Sequence, residues 1–338
     1  MKPFDDLLAR ARHRPRHIAL AEGDDPRVVE GALRALRDGV AEVTLIGPAS
    51  AVREHLERQG GGDGLALRVV DPATAPHLER YAQELLALRK AKGMTPEAAA
   101  QVARDPLYHA ALMVRLGEAD GCVGGAVATT AATVRAALQV IGPAPGSGLV
   151  SSFFIMMLCE PHHDALKGAM IFADCGLNVS PDAEELARIA IASADSARDL
   201  LHLEPKVAML SFSTGGSASH PLVDKVATAT ALARAARPDL AIEGDIQLDA
   251  SLIPEIRARK TTGSGTAGMG AGAANVLIFP DLNAGNIGYK LAERLGKAKA
   301  IGPVLQGLAK PANDLSRGCT ADDVFRMIVV TVAQANAR

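Results

Sequence analysis

At 338 residues, 48% of them apolar, the chain exceeds one ordinary hydrophobic core and calls for about two domains of roughly 150 residues each. Its 36 basic and 38 acidic residues leave a net charge of −2, so no global field draws in nucleic acid or an anionic membrane. Aromatic residues make up 3% with no Trp, which argues against platforms for base stacking.

The N-terminal stretch "MKPFDDLLARARHRPRHIALAEGDD" lacks the apolar core of a secretion signal. Within it "HIALAE" predicts a buried strand, and "PRVVEGALRALRDG" a helix with Pro26 in its first turn and Gly39 at its end. "EVTLIG" and "LALRVVD" repeat the strand signal. Helical stretches follow over about 77–92, 96–104 and 107–118, then "DGCVGG" and a helix carrying "TTAATVRAALQVIG". This alternation is that of βαβ units around a parallel sheet. "GPAPGSG" (142–148) is the clearest linker.

Beyond it the pattern restarts with strands at "LVSSFFIMML" and "GAMIFAD". A helix opens at "SPDAEELARIAIASA", with Ser180 as N-cap and Pro181 at its first position. "KVAMLSFS" reads as a strand and "HPLVDKVATATALARAA" as a helix. The low-complexity patch "TTGSGTAGMGAGAA" (261–274) reads as a surface loop. "NVLIFPD" is a further strand, "AGNIGYKLAERLG" follows it, and a helix ends the chain over "VFRMIVVTVAQANA". The longest apolar run, "FFIMMLC", falls well short of the ~20 residues that span a bilayer. Cys122, Cys159, Cys175 and Cys319 show no CxxC spacing, which speaks against a disulfide framework or a zinc site and for a reducing, cytoplasmic setting.

Three stretches carry groups suited to chemistry. In "MLSFSTGGSASHP" (209–221), Ser213, Thr214, Gly215, Gly216 and Ser217 follow a strand and precede a helix. Such a turn is either a generic anion cradle or a plain Ser/Gly connector. In "FPDLNAGNIGYKL" (279–291), Asp281, Asn283, Asn286 and Lys290 surround two glycines at a strand's carboxyl end, where open α/β sheets bind ligands and helices are also capped. In "NDLSRGCTADD" (313–323), Thr320 and Asp323 have capping-box spacing, while Ser316 and Arg317 are types that hold a phosphoryl group. Cys319 has no basic partner in sequence and reads as a small packed side chain. Arg89 in "LRKAKG" and Arg135 in "TTAATVRAAL" are, by pattern alone, ordinary surface arginines.

Together, "SFSTGGSASHPLVDKV", "NVLIFPDLNAGNIGYKL" and "IGPVLQGLAKPANDLSRGCTADD" resemble the signature blocks of the phosphate acetyltransferase (phosphotransacetylase) family. "LRKAKG", "GAVATTAATVR" and "MIFADCGLNVSP" stand in family order, so the resemblance spans essentially the whole chain. It implies an isocitrate-dehydrogenase-like α/β fold of two three-layer domains with mainly parallel sheets and an interdomain cleft. One domain would comprise 1–146 plus 304–338, and the other 147–303 with the surface of a homodimer. The implied reaction is acetyl-CoA + phosphate ⇌ acetyl phosphate + CoA, with CoA as substrate and no permanently bound cofactor. Partners would be these small molecules, without nucleic acid, membrane or metal. The resemblance places the catalytic set on Ser316, Arg317 and Asp323, with Asp323 as base, and CoA-binding arginines on Arg89 and Arg135. Ser213, Thr214, Asn286 and Lys290 complete the substrate-binding candidates. The chain departs from the usual pattern at Ala128 (commonly His), Ala136 (Pro), Gly215 (Lys) and Ser219 (Lys), and its glycine-rich loop at 263–272 is longer.

Such a reaction needs a thiolate, a stabilised carbonyl oxygen and a phosphate held as leaving group. Arg317 suits the phosphate, Ser316 the oxygen and Asp323 the thiol proton. Passing a proton from a thiol of pKa ~8.5 to an Asp of ~3.9 runs uphill by ~6 kcal/mol, inside a working barrier of ~15 kcal/mol. No activated protein nucleophile is visible, which favours direct transfer in a ternary complex. Rival readings are a phosphate butyryltransferase, a non-catalytic acyl-CoA-sensing domain and an NAD-dependent dehydrogenase; the last lacks a nucleotide fingerprint.

Overall fold

The computed structural model describes residues 2–62, 64–260 and 272–338. Of the glycine-rich patch, 261–271 lies outside the described residues. The chain forms two compact units, Asp5–Gly146 with Leu308–Arg338, and Ser147–Gly307 with the first few residues.

The chain opens with α1 (Lys2–His13), β1 (Arg16–Leu20), α2 (Pro26–Arg37), β2 (Ala41–Ile46), α3 (Ala49–Arg58) and β3 (Leu67–Val70). Then come α4 (Leu78–Arg89), α5 (Pro96–Val102), α6 (Pro106–Arg115), β4 (Gly121–Gly124) and α7 (Thr130–Val140). Helices α2, α5 and α6 share one start signal: Asp25, Thr95 or Asp105 accepts first-turn N–H groups, and a proline follows where no N–H is needed. The second unit supplies β5 (Ser151–Leu158), β6 (Gly168–Ala173), α8 (Ala183–Leu201), β7 (Lys206–Leu210) and α9 (Pro221–Ala236). It continues through β8 (Ala241–Ile246), α10 (Leu248–Leu252), α11 (Pro254–Lys260), β9 (Val276–Ile278), α12 (Leu282–Arg294) and β10 (Lys299–Gln306). The chain then returns to the first unit as β11 (Ala312–Asp314) and α13 (Ala321–Asn336).

The first unit holds a five-stranded sheet in the order β11-β4-β1-β2-β3, every pair parallel. Ile18, Ala19 and Leu20 of β1 are all buried, so both faces of that strand are covered. Helices α2 and α13 pack together against β1 and β2, and α6 and α7 pack together with α6 against β4 and α7 against β11. Buried Leu33, Val324, Phe325 and Ile328 fill one layer and Leu112, Val114 and Val134 the other, each worth about 1.5–3 kcal/mol.

The second unit has six strands in the order β10-β5-β6-β9-β7-β8. Its β6-β9-β7-β8 half is parallel, whereas β10 and β6 pair antiparallel with β5. All eight residues of β5 are buried. Phe154, Met156 and Leu158 join Phe172, with Ala284, Tyr289 and Ala292 of α12 against them, while α8 and α9 pack together and α8 covers β6 and β9. One local expectation changes. The N-cap of α8 is Asp182, in a reciprocal capping box with Glu185, and not Ser180. Its carboxylate reaches the Glu185 N–H at 2.8 Å, and the Glu185 carboxylate returns a bond to its backbone.

Candidate active site

Strands β11, β4 and β1 end side by side, and the chemistry-bearing strip begins where β11 stops. The Leu315 N–H donates to Gly124 O at 2.7 Å, which fastens the strip to β4. Ser316, Arg317 and Gly318 then stand exposed, while Leu315 and Cys319 on either side are buried. The turn closes on itself: the Cys319 N–H donates to Ser316 O at 2.9 Å and the Gly318 N–H to Ser316 Oγ at 3.3 Å. From the first turn of α2, Arg27 Nη1 donates to the carbonyls of Arg317 (2.8 Å) and Cys319 (3.0 Å). A fork with Asp25 orients Arg27 (3.0 and 2.8 Å), and its Nη2 also reaches Ala126 O at 2.9 Å. The backbone of the turn is thus gripped from one side while Ser316 and Arg317 stay exposed.

Asp323 caps α13. Its Oδ2 accepts from the Thr320 N–H (2.9 Å) and hydroxyl (2.8 Å), while Thr320 Oγ1 accepts from the Asp323 N–H at 3.2 Å. The capping box expected from the spacing is therefore present, and it holds a half-buried carboxylate seven residues beyond Ser316. Burial pushes the Cys319 thiol up to about 11; Arg27 opposes this, and Asp323 and Asp25 add to it. A thiol so protonated is no nucleophile.

Beneath the strip lies a buried acidic pair. Glu22 follows β1 with a left-handed φ of 60° and accepts from four successive backbone N–H groups: Gly125 (2.9 Å), Ala126 (2.7 Å), Val127 (3.2 Å) and Ala128 (2.6 Å). The nest ties down the loop that leads into α7. Asp314, the last residue of β11, is fully buried and accepts from Thr130 Oγ1 at 2.6 Å. Gly125 has φ +96°, and a Cβ there would collide with Asp314 Oδ1, so only glycine permits this close approach. Burial first, and the charge of Glu22 with it, raises Asp314 to about 6, against the hydroxyls of Thr130 and Thr133 and the Leu315 N–H.

Arg89 ends α4, half-buried, and Arg135 lies exposed on α7. Both act electrostatically on the phenol of Tyr108, which donates to Gln139 at 2.9 Å. Two cations 46 residues apart in the chain thus bear on the same phenol.

In the other unit, Ser213 and Thr214 turn inward. Ser213 Oγ lies 3.3 Å from Ser217 Oγ and accepts from the Ala218 N–H at 3.2 Å, and Thr214 Oγ1 bonds Gln247. Gly215 adopts φ +56°, and its N–H and that of Gly216 point at Asp245, at 3.0 Å to the carbonyl and 3.3 Å to the carboxylate. The donors of this turn are already engaged. On α12, Asn286 donates to Cys175 O at 3.1 Å, and Lys290 is exposed.

Residues 4–332 match the family described as Phosphate acetyl/butaryl transferase. The chain belongs to that family. It is 53% identical over 334 residues to the phosphate acetyltransferase of Paracoccus denitrificans, covering 99% of each, and 47% identical to that of Thermoanaerobacterium thermosaccharolyticum, covering 99% of this chain and 100% of the other. Among solved structures it is similar to a phosphotransacetylase from Streptococcus pyogenes, with a TM-score of 0.91 and 41% identity over 100% of this chain and 99% of the other.

As a family member the chain is an acyltransferase, and its site differs from the sequence expectation chiefly in what lies underneath. Glu22, Arg27, Thr130 and Asp314 were not singled out. Asp314 stands inside the quoted strip, and Glu22 follows a buried strand of a parallel sheet, where ligand-binding and supporting groups gather. At Ala128, where the family commonly has His, the backbone N–H rather than a side chain is employed, on Glu22.

Proposed function

We propose that the chain is a phosphate acetyltransferase that moves an acetyl group reversibly between CoA and phosphate. The reading is carried by the outward-facing Ser316–Arg317 turn, its backbone held by Arg27, together with relatives that bear this name. Arg317 holds the phosphate of acetyl phosphate with its planar fork. Ser316 donates to the developing oxyanion. Arg89 and Arg135 hold the phosphates of CoA, and Asp323 takes the thiol proton. Lys290 and Asn286 are binding groups of the other unit, where Ser213 and Thr214 act by shaping their turn. Transfer is direct, in a ternary complex: Cys319 is buried and protonated, and Ser316 Oγ is bonded only to the Gly318 N–H among the described residues.

The unpaired state of all four cysteines supports a reducing, cytoplasmic setting, and no described helix is long and apolar enough to cross a membrane. Ile287 and Leu291 on α12 and Leu295 at its C-cap repeat every four residues and are 58%, 52% and 78% exposed, which supports that face as the homodimer surface.

The test mixes the protein with CoA and acetyl phosphate, with butyryl phosphate in parallel. Fast thioester formation from acetyl phosphate is expected, and a faster butyryl reaction would make the chain a butyryltransferase instead. Asp323→Asn is expected to lower kcat about a hundredfold or more with little change in CoA affinity; unchanged turnover would leave Asp323 a capping residue only.

A further inference from the structure

Acetyl transfer from phosphate to a thiol involves two protons. The thiol proton must leave sulfur, and the departing phosphate must gain one at the oxygen that bridged it to the acyl carbon, because it leaves as the hydrogen phosphate dianion. Asp323 accounts for the first proton. Nothing assigned so far delivers the second.

We infer, resting on the acetyl-transfer reading above, that Thr130 and Asp314 form a proton relay to the departing phosphate, Thr130 touching it and Asp314 standing behind. Thr130 is the first residue of α7 and half-exposed. Its Oγ1 lies 2.6 Å from Oδ2 of Asp314, a contact in which the hydroxyl donates to the carboxylate and, once Asp314 is protonated, the acid donates to the hydroxyl. Asp314 is fully buried, two residues before Ser316, and its Oδ1 makes no well-formed hydrogen bond among the described residues, the Thr133 hydroxyl and the Leu315 N–H standing near the carboxyl group only as weaker donors. A carboxylate left so is costly, whereas a carboxylic acid suits the site. The charged group facing it is Glu22, on the loop after β1. From α7 the hydroxyls of Thr130 and Thr133 face it, from the loop before α7 Gly125, and from its own strand end the Leu315 N–H. With its proton held to about 6, Asp314 is a donor closer to neutral pH than an ordinary Asp at ~3.9. The two carboxyl groups of the strip thus divide into acid and base by environment, one buried beside another carboxylate, the other capping a helix.

As the thiol sulfur bonds to the acyl carbon, the bond from that carbon to the bridging oxygen breaks. The oxygen takes the hydroxyl proton of Thr130, the proton of Asp314 moves onto Thr130 Oγ1, and the thiol proton goes to Asp323. Asp314 ends ionised and Asp323 protonated, and solvent exchange resets both. In the reverse direction the relay takes the proton from hydrogen phosphate as it attacks.

Thr130→Val preserves shape and removes the hydroxyl; Thr130→Ser keeps it. Assayed in the full chain with CoA and acetyl phosphate, the Val variant is expected to lose about a hundredfold or more in kcat, with both KM values within threefold and the Ser variant near wild type. Wild-type kcat is expected to fall as pH rises through about 6 in the thioester-forming direction and to rise in the reverse, and Thr130→Val and Asp314→Asn should both flatten that limb. A Val variant with kcat within threefold of wild type, a change confined to KM, or a surviving limb would overturn the relay and leave Asp323 to carry both protons. A wild-type protein that binds CoA but forms no thioester would instead remove the acetyl-transfer reading, and the relay with it.

Discussion

The turns at 213–217 and 316–319 are alike in sequence, each offering a hydroxyl, glycine and a following helix, yet they are built in opposite senses. In 213–217 the neighbours are acceptors. Asp245 takes the N–H groups of Gly215 and Gly216, and the hydroxyls of Ser213 and Thr214 are spent on Ser217, Ala218 and Gln247. In 316–319 the neighbour is a cation: Arg27 takes the carbonyls and leaves Ser316 and Arg317 facing out. A turn whose carbonyls are bound by its own protein can leave its side chains exposed, as Ser316 and Arg317 are, even though the N–H groups of Gly318 and Cys319 are spent within the turn. The two turns share a leading hydroxyl and a glycine, and the groups behind them are of opposite charge, Asp245 behind one and Arg27 behind the other.

The largest expected effect tests that contrast at Arg317. Arg317→Ala should lower kcat/KM for acetyl phosphate about a thousandfold, roughly 4 kcal/mol, and Arg317→Lys should recover little, since an ammonium lacks the bidentate fork. A loss under tenfold would put the phosphate elsewhere.

Next comes the acid beneath the turn. Asp314 has a folded pKa of about 6, raised from 3.8 mainly by burial. A carboxyl raised in this way stabilises the fold below its unfolded pKa, and that stability is lost as pH rises through about 6. Asp314→Asn should therefore be more stable than wild type at pH 7.5 by up to about 3 kcal/mol, and near parity at pH 4, as measured by urea unfolding at both values. Gained stability with lost activity would mark the charge as functional, whereas an Asn variant weaker at pH 7.5 would make the carboxylate a structural anchor.

The smallest effect belongs to the inward turn. Ser213→Ala removes a buried hydroxyl that serves Ser217 and Ala218, and should cost about 1 kcal/mol of stability with every KM within twofold. A several-fold rise in the KM for phosphate would return Ser213 to the substrate and erase the contrast.

Much of the fold was legible because period and punctuation are local. Strands such as "HIALAE" and "NVLIFPD" are short apolar runs, and Pro26, Pro106 and Pro221 mark helix starts through chemistry confined to one turn. Ser180 misled because Asp182 is the better cap once Glu185 reaches back to it. The antiparallel pairing of β5 with β6 and β10 was not readable either, since a buried strand looks the same in either direction.

By itself the sequence determined the strip of Ser316, Arg317, Thr320 and Asp323, since these groups lie within eight residues and even their capping box is a local motif. What lies under the strip was decided only by tertiary structure. Glu22, Arg27, Thr130 and Asp314 come from four elements up to 292 residues apart, and none has a distinctive local pattern. Their properties are set by neighbours: Arg27 is a clamp because three carbonyls converge on it, and Asp314 holds its proton up to about pH 6 because the fold removes its water and places Glu22 nearby. Such perturbation grows from burial and proximity, and neither is written in the spacing of residues along the chain.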